Sequence, residues 1–226
     1  MGRNLFSLPV QIVLAIAVSV VLVASPLYPI LSPSYPGRLY ELEGFPPSDR
    51  FSTPERTRLA STIWRFCRGA IPYADLTAMA TDSGETALLP SEAQHLEDVR
   101  LVVRAFTRAH VAGLILAVLG AVLLWRRQRR QLVWALRAGV LLAVGILALI
   151  AISALVDFDT FFTAFHGLFF VEGTWTFRYT DTLIQLYPLP FWTTAVLHYA
   201  LLIGALSAAT LGLAGGLQRV DAQEHR

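Results

Sequence analysis

Histidine side chains are the first candidates for chemistry in this sequence, because imidazole alone titrates near neutral pH without perturbation. His166 lies in an unusual segment, Asp157 to Phe170, where one histidine occurs among six phenylalanines. An aromatic belt at a membrane surface would account for the phenylalanines. It accounts poorly for an imidazole, so we interpret His166 as a candidate catalytic or ligand-binding residue.

His95 is the second candidate, because Asp98 follows it at i+3 in a segment expected to be helical. We expect the carboxylate of Asp98 to accept a hydrogen bond from one ring nitrogen of His95. Such a bond fixes the tautomer of the imidazole and raises the basicity of its other nitrogen, as in general-base sites. The spacing is common by chance, so the pair alone is a weak indication of a general base.

His110 and His198 lie near the ends of apolar segments and leave two interpretations open. They are either axial ligands of a b-type haem held between two helices, or histidines that hydrogen-bond to neighbouring backbone or water. Cys67 is the single cysteine, which excludes an intrachain disulfide, a multi-cysteine zinc site and an iron–sulfur cluster. We expect it to be a small buried residue.

The composition places these residues in a membrane protein. Hydrophobic residues make up 55% of the 226 residues, charged residues 15%, and the mean hydropathy is +0.55, whereas ordinary soluble domains carry about 25% charged residues. The net charge of +2 does not indicate nucleic-acid binding. The sequence has no Walker loop, GxSxG, HExxH or dinucleotide motif, and we expect neither a cofactor nor a metal.

Four apolar segments are long enough to cross the hydrocarbon core, which takes about 20 residues: 8–31, 109–125, 132–156 and 191–217. The short connection 126–131 contains four arginines (Arg126, Arg127, Arg129, Arg130), which place it in the cytoplasm. Both termini are then cytoplasmic, and loops 32–108 and 157–190 face outward. We predict an all-α protein over residues 1–226, a single integral membrane domain with four transmembrane helices and a small, mainly helical extracytoplasmic cap.

Local signals predict several helix ends in the first loop. The segment from Leu31 to Pro54 is dense in proline and turn residues and is predicted to be irregular. Thr53 is predicted as an N-cap before Pro54, and Gly69 as the stop of that helix. Ser91-Glu92-Ala93-Gln94 has capping-box spacing, and the helix that it starts is predicted to run unbroken into the second span.

Small residues recur at every fourth position in two of the predicted spans. Such stripes let helices approach closely in lipid. We therefore expect close helix contacts in the second span at Gly113, Ala117 and Ala121, and in the fourth at Gly204, Ala208, Gly212 and Gly216.

Two segments resemble a known family. One is His95-Leu96-Glu97-Asp98-Val99, ahead of the second span. The other runs from Asp157 to Trp192 and includes Phe165-His166-Gly167-Leu168-Phe169-Phe170, Trp175, Asp181-Thr182-Leu183-Ile184-Gln185-Leu186-Tyr187-Pro188 and Phe191-Trp192. With the four-span layout, they resemble the bacterial lipoprotein intramolecular transacylases. The lysine-free composition departs from several members of that family.

The resemblance implies a substrate and a site. The family moves the sn-2 acyl chain of a diacylglyceryl-modified lipoprotein onto the α-amino group of its N-terminal cysteine, which gives a lyso-form lipoprotein, at the extracytoplasmic face of the cytoplasmic membrane among its phospholipids. Its two functional histidines fall on His95 and His166. We expect Asp98 and Asp181 to support them, and expect substrate contacts from Arg100, Phe165, Phe169, Phe170, Trp175 and Tyr187.

The chemistry is consistent with two histidines. An α-amine has a pKa of about 7.7–8.0 and histidine about 6.5, so imidazole can take the amine proton near neutral pH. Our hypothesis is that His95 is the base and His166 protonates the departing oxygen or binds the oxyanion, although the roles are interchangeable. Three alternatives remain: a scaffold that docks a partner, a haem protein using His110 and His198, and an intermolecular acyltransferase or lipid hydrolase.

Overall fold

Ten α-helices make up the regular structure of the computed structural model, which describes residues 7–125 and 128–224. Apart from one isolated bridge between Ala80 and Thr86, these residues form no strand pairing. The helices are α1 (Ser7–Ala24), α2 (Leu27–Ile30), α3 (Tyr35–Tyr40), α4 (Thr53–Cys67), α5 (Tyr73–Thr77), α6 (Pro90–Trp125), α7 (Arg129–Val156), α8 (Phe158–Gly167), α9 (Thr182–Leu186) and α10 (Leu189–Glu224).

Four segments are long and apolar enough to cross a membrane, which confirms the predicted all-α membrane fold. They are Leu8–Ile30, Pro90–Trp125, Arg129–Val156 and Leu189–Gln223. The helices of the last three are longer than the apolar segments 109–125, 132–156 and 191–217, because polar turns extend each of them. Which residues lie in hydrocarbon stays a prediction. Arg126 and Arg127 of the predicted cytoplasmic turn lie outside the described residues.

The chain divides into two compact units. Within the described residues, the first unit comprises 7–27, 106–125, 128–156 and 199–224. Its core is apolar and is built mainly where α1 packs on α7. Gly139 makes this contact possible: a Cβ there would lie 2.7 Å from both the carbonyl oxygen of Ala15 and a carbon of Val18. The packing of α1 on α7 therefore depends on a glycine outside either predicted stripe.

The two stripes of small residues differ in the structure. Gly113 lies against Val20, where a Cβ would come within 3.1 Å, and Ala117 and Ala121 pack against the apolar core. The contact predicted for the second span is therefore confirmed. The prediction for the fourth span is wrong for the described residues, because nothing lies within 4 Å of a Cβ placed at Gly204, Gly212 or Gly216.

The second unit comprises residues 28–105 and 157–198, with α3, α5 and α9 packed on α4. α4 begins after Ser52, whose hydroxyl accepts the backbone N–H of Glu55, so the N-cap lies one residue before the predicted Thr53. The predicted stop is confirmed: Gly69 has φ +78°, and the bonds Gly69 N–H to Phe66 O and Ala70 N–H to Arg65 O close a Schellman motif. Cys67 is fully buried, as expected.

α3 corrects the prediction that residues 31–54 are irregular. Its residues Tyr35, Leu39 and Tyr40 are buried. Gly37 brings the helix close to α4, since a Cβ at this position would lie 2.8 Å from a carbon of Thr57. The segment therefore contains a short buried helix, which its high content of proline and glycine did not indicate.

The start of α6 fixes the position of His95. The helix begins at Pro90, and the side chain of Glu92 accepts the backbone N–H of Leu89 at 2.8 Å. This is half of a capping box, with Leu89 at the cap position, two residues before the predicted Ser91. The unbroken helix from here into the second span is confirmed.

Candidate active site

α8 carries the first histidine of the site. Asp157 caps this helix: its carboxylate accepts the backbone N–H of Thr160 at 3.0 Å and the hydroxyl of Thr160 at 2.7 Å. The hydroxyl and backbone hydrogen bonds from Thr160 hold the pKa of Asp157 below its usual range. The helical spacing then places Phe162 one turn before His166.

His166 is held in one tautomer by its own helix. Its Nδ1 lies 2.8 Å from the carbonyl oxygen of Phe162. A carbonyl only accepts hydrogen bonds, so Nδ1 carries the proton and neutral His166 keeps a lone pair on Nε2. The ring stacks on Trp175 (centroids 4.7 Å apart) and lies 4.0 Å from the ring of Phe162. This half-buried imidazole is therefore arranged to accept a proton at Nε2.

His95 lies one turn after Glu92 on α6, outside the predicted second span. Its ring lies 4.9 Å from that of Phe170 and 5.5 Å from that of Phe177, measured between centroids. Its Nδ1 is buried and has no hydrogen-bond partner among the described residues. Burial, with a contribution from nearby His166, lowers the pKa of His95 to about 4, while Asp98 opposes the shift. His95 is therefore neutral at pH 7.

Phe170 brings the two histidines together. Its ring contacts His95 at 4.9 Å and His166 at 5.8 Å. A positive charge on His166 would repel one on His95, and burial also lowers the pKa of His166. The pair is therefore disposed to hold at most one added proton. The predicted pairing of two residues distant in sequence is present in the structure.

Asp98 does not hydrogen-bond to His95, contrary to the sequence-based expectation. No bond between the two side chains is formed in the described part of the chain, and Nδ1 of His95 has no partner. The i+3 spacing brings the carboxylate near enough to act on His95 through its charge alone. Asp98 therefore favours the protonated form of His95 and does not fix its tautomer.

The other predicted supporting and substrate-contacting residues divide into two groups. Asp181 accepts the backbone N–H of Arg178 at 2.7 Å and so stabilises a turn before α9. Arg100 lies over the ring of Phe66 at 4.8 Å, with Glu97 at 3.6 Å. Tyr187 is buried, and its hydroxyl donates to the carbonyl of Ala60. These contacts are structural, and Tyr187 in particular is not placed to touch a substrate.

The aromatic residues predicted to contact substrate lie around His166. Phe165 and Phe169 are exposed, with ring centroids 5.4 Å apart, and Phe165 also contacts His166. Phe170 and Trp175 are partly buried beside them. Together these four residues form an apolar surface next to His166, which we call the aromatic surface.

Three residues of this region were not identified as site residues from the sequence. Phe162 supplies the carbonyl that orients His166, and its i−4 spacing is readable once α8 is recognised as a helix. Phe177 contacts His95 without any local signal. Glu92 is 0% exposed and accepts backbone N–H groups from both Leu89 and Leu183, a pairing across 91 positions that no local pattern indicates.

His110 and His198 each have a hydrogen bond that accounts for them. Nε2 of His110 lies 3.0 Å from the hydroxyl of Ser25, and Nδ1 of His198 lies 2.9 Å from the hydroxyl of Tyr35. Both bonds are to side-chain hydroxyls and not to the neighbouring backbone or water that was expected, and they favour a hydrogen-bonding role over haem ligation for both histidines. No group of three or more His, Cys, Asp or Glu side chains within residues 7–125 and 128–224 is arranged to hold a metal ion.

Fold and site together define a multi-pass helical membrane protein with two neutral imidazoles in an aromatic setting. A family model described as "Lipoprotein intramolecular transacylase Lit" matches residues 5–192. The chain belongs to this family, a family of acyltransferases, and the recognition made from the two sequence segments is confirmed.

Individual relatives are consistent with the family. The crystal structure of the membrane-integral lipoprotein intramolecular transacylase Lit from Bacillus cereus is similar, with a TM-score of 0.78 at 15% identity over 98% of this chain and 100% of that one. Two variants of that protein, with one histidine replaced by arginine or by alanine, give a TM-score of 0.74 at 16% identity and cover 95–97% of the chains. At these identities the likeness shows the fold alone.

An uncharacterized protein of Aquifex aeolicus (strain VF5) is 31% identical over 120 residues, 53% of this chain and 53% of that protein. The match thus spans about half the length of this curated relative.

Proposed function

We propose that the chain transfers the sn-2 acyl group of a diacylglyceryl-modified lipoprotein to the α-amino group of the lipoprotein's N-terminal cysteine, giving the lyso form. The observation that carries the proposal is the contact of both His95 and His166 with the ring of Phe170 in a member of the transacylase family. Donor ester and acceptor amine belong to one substrate molecule, so binding already brings them together.

The reaction is a proton-balanced exchange of an ester for an amide. The amine nitrogen attacks the ester carbonyl carbon and loses a proton to a base. The tetrahedral intermediate then collapses, the bond from carbon to the glycerol oxygen breaks, and that oxygen takes up the proton. Enzyme groups return to their starting state, and each general acid or base contributes about 10²–10⁴-fold. Because the amide is the more stable product, the transfer proceeds without a cofactor.

We assign the base to His166, the reverse of the first hypothesis from sequence. Its Nδ1–H is committed to the carbonyl of Phe162, so the free lone pair is on Nε2. After taking the amine proton there, the same nitrogen is positioned to return it to the departing glycerol oxygen. The lowered pKa keeps His166 unprotonated, and hence competent as a base, at neutral pH.

We assign His95 the role of hydrogen-bond donor to the oxyanion. With a pKa of about 4 it remains neutral while His166 is protonated. A neutral imidazole donates a hydrogen bond from its ring N–H, and a donor aimed at the developing oxyanion is a major source of rate enhancement. This role does not require Asp98 to hydrogen-bond with His95.

The aromatic surface is suited to the acyl chain. Phe165 and Phe169 are 42% and 39% exposed. Contact with a lipid chain would remove this apolar surface from water, which is favourable. We propose that this surface faces the extracytoplasmic side of the cytoplasmic membrane and its phospholipids, with both termini in the cytoplasm. The arginine-rich connection between α6 and α7 supports that orientation.

Mass spectrometry of a co-expressed diacylglyceryl lipoprotein tests the function. We expect an N-terminal peptide of unchanged mass whose fragments show one acyl chain on the α-amine. A peptide lighter by one acyl chain would indicate hydrolysis or transfer to another molecule. An unmodified peptide beside well-expressed protein would contradict acyl transfer and leave a scaffold role.

A further inference from the structure

A cleft of about 540 Å³ lies beside the N-terminal end of α6 in the second unit. Its lining residues are Leu89, Ser91, Thr176, Phe177, Arg178 and Asp181. The volume lies within the ~300–1,000 Å³ typical of ligand clefts. The acyl-transfer mechanism uses none of these side chains.

Hydrogen bonds hold the two sides of the cleft together. Residues 87–92 form one side and residues 176–183 the other. The hydroxyl of Thr182 donates to the carbonyl of Ala87, and the buried carboxylate of Glu92 accepts the N–H groups of Leu89 and Leu183 at 2.8 and 2.7 Å. Arg50 fixes the second side further by donating to the carbonyl of Thr180 at 2.7 Å. The cleft is therefore preformed.

Phe177 connects the cleft to the candidate active site. It lines the cleft, and its ring lies 5.5 Å from that of His95. Phe177 thus belongs both to the lining of the cleft and to the surroundings of His95.

The lining chemistry distinguishes the possible occupants. An acyl chain would cover the exposed polar side chains of Ser91, Thr176 and Arg178 without offering them a hydrogen-bond partner, which is costly. An anionic headgroup would be attracted by Arg178 and repelled by Asp181. A peptide main chain presents both donors and acceptors: its carbonyls suit the guanidinium, its N–H groups suit the carboxylate, and hydroxyls pair with either.

We propose that this cleft binds the peptide segment that follows the modified cysteine of the lipoprotein, chiefly through its main chain. The inference rests on the proposed acyl transfer and assigns to the substrate's peptide a place distinct from the aromatic surface that takes its acyl chain. Main-chain recognition lets one enzyme accept lipoproteins that differ in sequence after the cysteine.

Two synthetic substrates test the proposal on the full-length protein in nanodiscs: diacylglyceryl-cysteine amide, and diacylglyceryl-cysteine followed by a short peptide. The measured quantity is the ratio of kcat/KM for the peptide substrate to that for the amide. We expect the wild type to prefer the peptide substrate. Ser91→Trp, which fills the cleft, should lower the ratio roughly tenfold, and Arg178→Ala should lower it by a smaller factor.

Gln94→Trp is the matched control, because Gln94 is exposed on the same helix and does not line the cleft. Its ratio should equal that of the wild type. Equal use of both substrates by the wild type, or an unchanged ratio in both Ser91→Trp and Arg178→Ala, would overturn the peptide site while leaving acyl transfer intact. Absence of transfer from either substrate by the wild type would instead refute the proposed function.

Discussion

The two histidines of the site are held in contrasting ways. His166 depends on its own turn: Asp157 caps α8, and Phe162, four residues earlier, accepts the Nδ1 proton. His95 depends on distant parts of the chain, since Glu92 ties the start of its helix to Leu183, and Phe170 and Phe177 form its surroundings. Local structure thus fixes the tautomer of the proposed base, and tertiary structure provides the burial that keeps the other imidazole neutral.

The largest expected effect distinguishes the roles of the two imidazoles. His166→Asn keeps a donor near the position of Nδ1 but has no nitrogen that takes up a proton, so kcat should fall about 10³–10⁴-fold. His95→Gln keeps an N–H donor, and its kcat should fall by only about 10–100-fold. Single-turnover assays on inserted protein measure both. Equal losses in the two variants would contradict the division into base and oxyanion donor.

Glu92 tests whether His95 depends on tertiary contacts. Glu92→Ala leaves two backbone N–H groups without their acceptor, so the free energy of unfolding should fall by about 2–4 kcal/mol. Glu97→Ala on the same helix is the control. Its partly exposed ion pair with Arg100 contributes about 0–1 kcal/mol. Thermal unfolding in one detergent compares the two; equal stabilities would show that the Glu92 bonds do not hold the helix start.

The pH dependence tests the protonation states. The pKa of His166 is lowered from the usual histidine value of about 6.5. Titration of His166 therefore adds no slope to the pH profile of kcat/KM above that pH. Between that pH and the amine pKa of about 7.7–8.0, kcat/KM should rise about tenfold per pH unit, from deprotonation of the substrate amine alone. A profile of kcat/KM from acid to alkaline pH measures this. A rise of about a hundredfold per unit above pH ~6.5 would require a second titrating group.

A substitution at Phe170 tests the ring contact that His95 and His166 share. Phe170→Leu removes the ring that both histidines touch, and we expect kcat/KM to fall about tenfold, because small misplacements of catalytic groups are costly. Phe161→Leu, whose ring contacts Phe165 instead, is the control and should stay close to the wild type. If both variants behave alike, the aromatic surface acts only as apolar area.

Asp98 should give the smallest effect. Asp98→Asn removes a charge that acts on His95 without a hydrogen bond, so kcat should change by about threefold or less. Loss of an orienting carboxylate of the kind expected from the sequence would lower kcat by about 10⁴-fold, as it does in a Ser-His-Asp triad. Steady-state kinetics at pH 7.5 distinguish the two values, and a loss in the larger range would restore His95 as the oriented base.

Helices were predictable from sequence where one segment contains all the information. The four spans follow from apolar length, the unbroken α6 from the absence of Pro and Gly between Ser91 and Gly113, and the end of α4 from Gly69. α8 was missed, although Asp157 and Thr160 form a recognisable N-cap. The short helix α3 was missed because its glycine serves a contact with Thr57 that only the folded chain reveals.

The candidate site was predictable in part: His95 and His166 lie near one ring, as expected, but the expected hydrogen bond from Asp98 is absent. Resemblance to the family identified His95 and His166, and six phenylalanines pointed to the surroundings of His166. The Asp98 hydrogen bond was expected because i+3 neighbours share a helix face, but a shared face does not fix where a ring nitrogen points. The roles of Phe177 and Leu183 depend on contacts between segments far apart in sequence, which no local pattern encodes.

The contact of α1 with α7 at Gly139 has a consequence for biosynthesis. α1 ends at Ala24 and α7 begins only at Arg129. At about 5–20 residues per second, the ribosome makes the partner helix on the order of 5–20 s after α1 has emerged. During that interval the surface of α1 around Ala15 and Val18 is in contact with lipid or with the insertion machinery. Docking of α1 against α7 therefore has to wait for a helix that the ribosome makes much later.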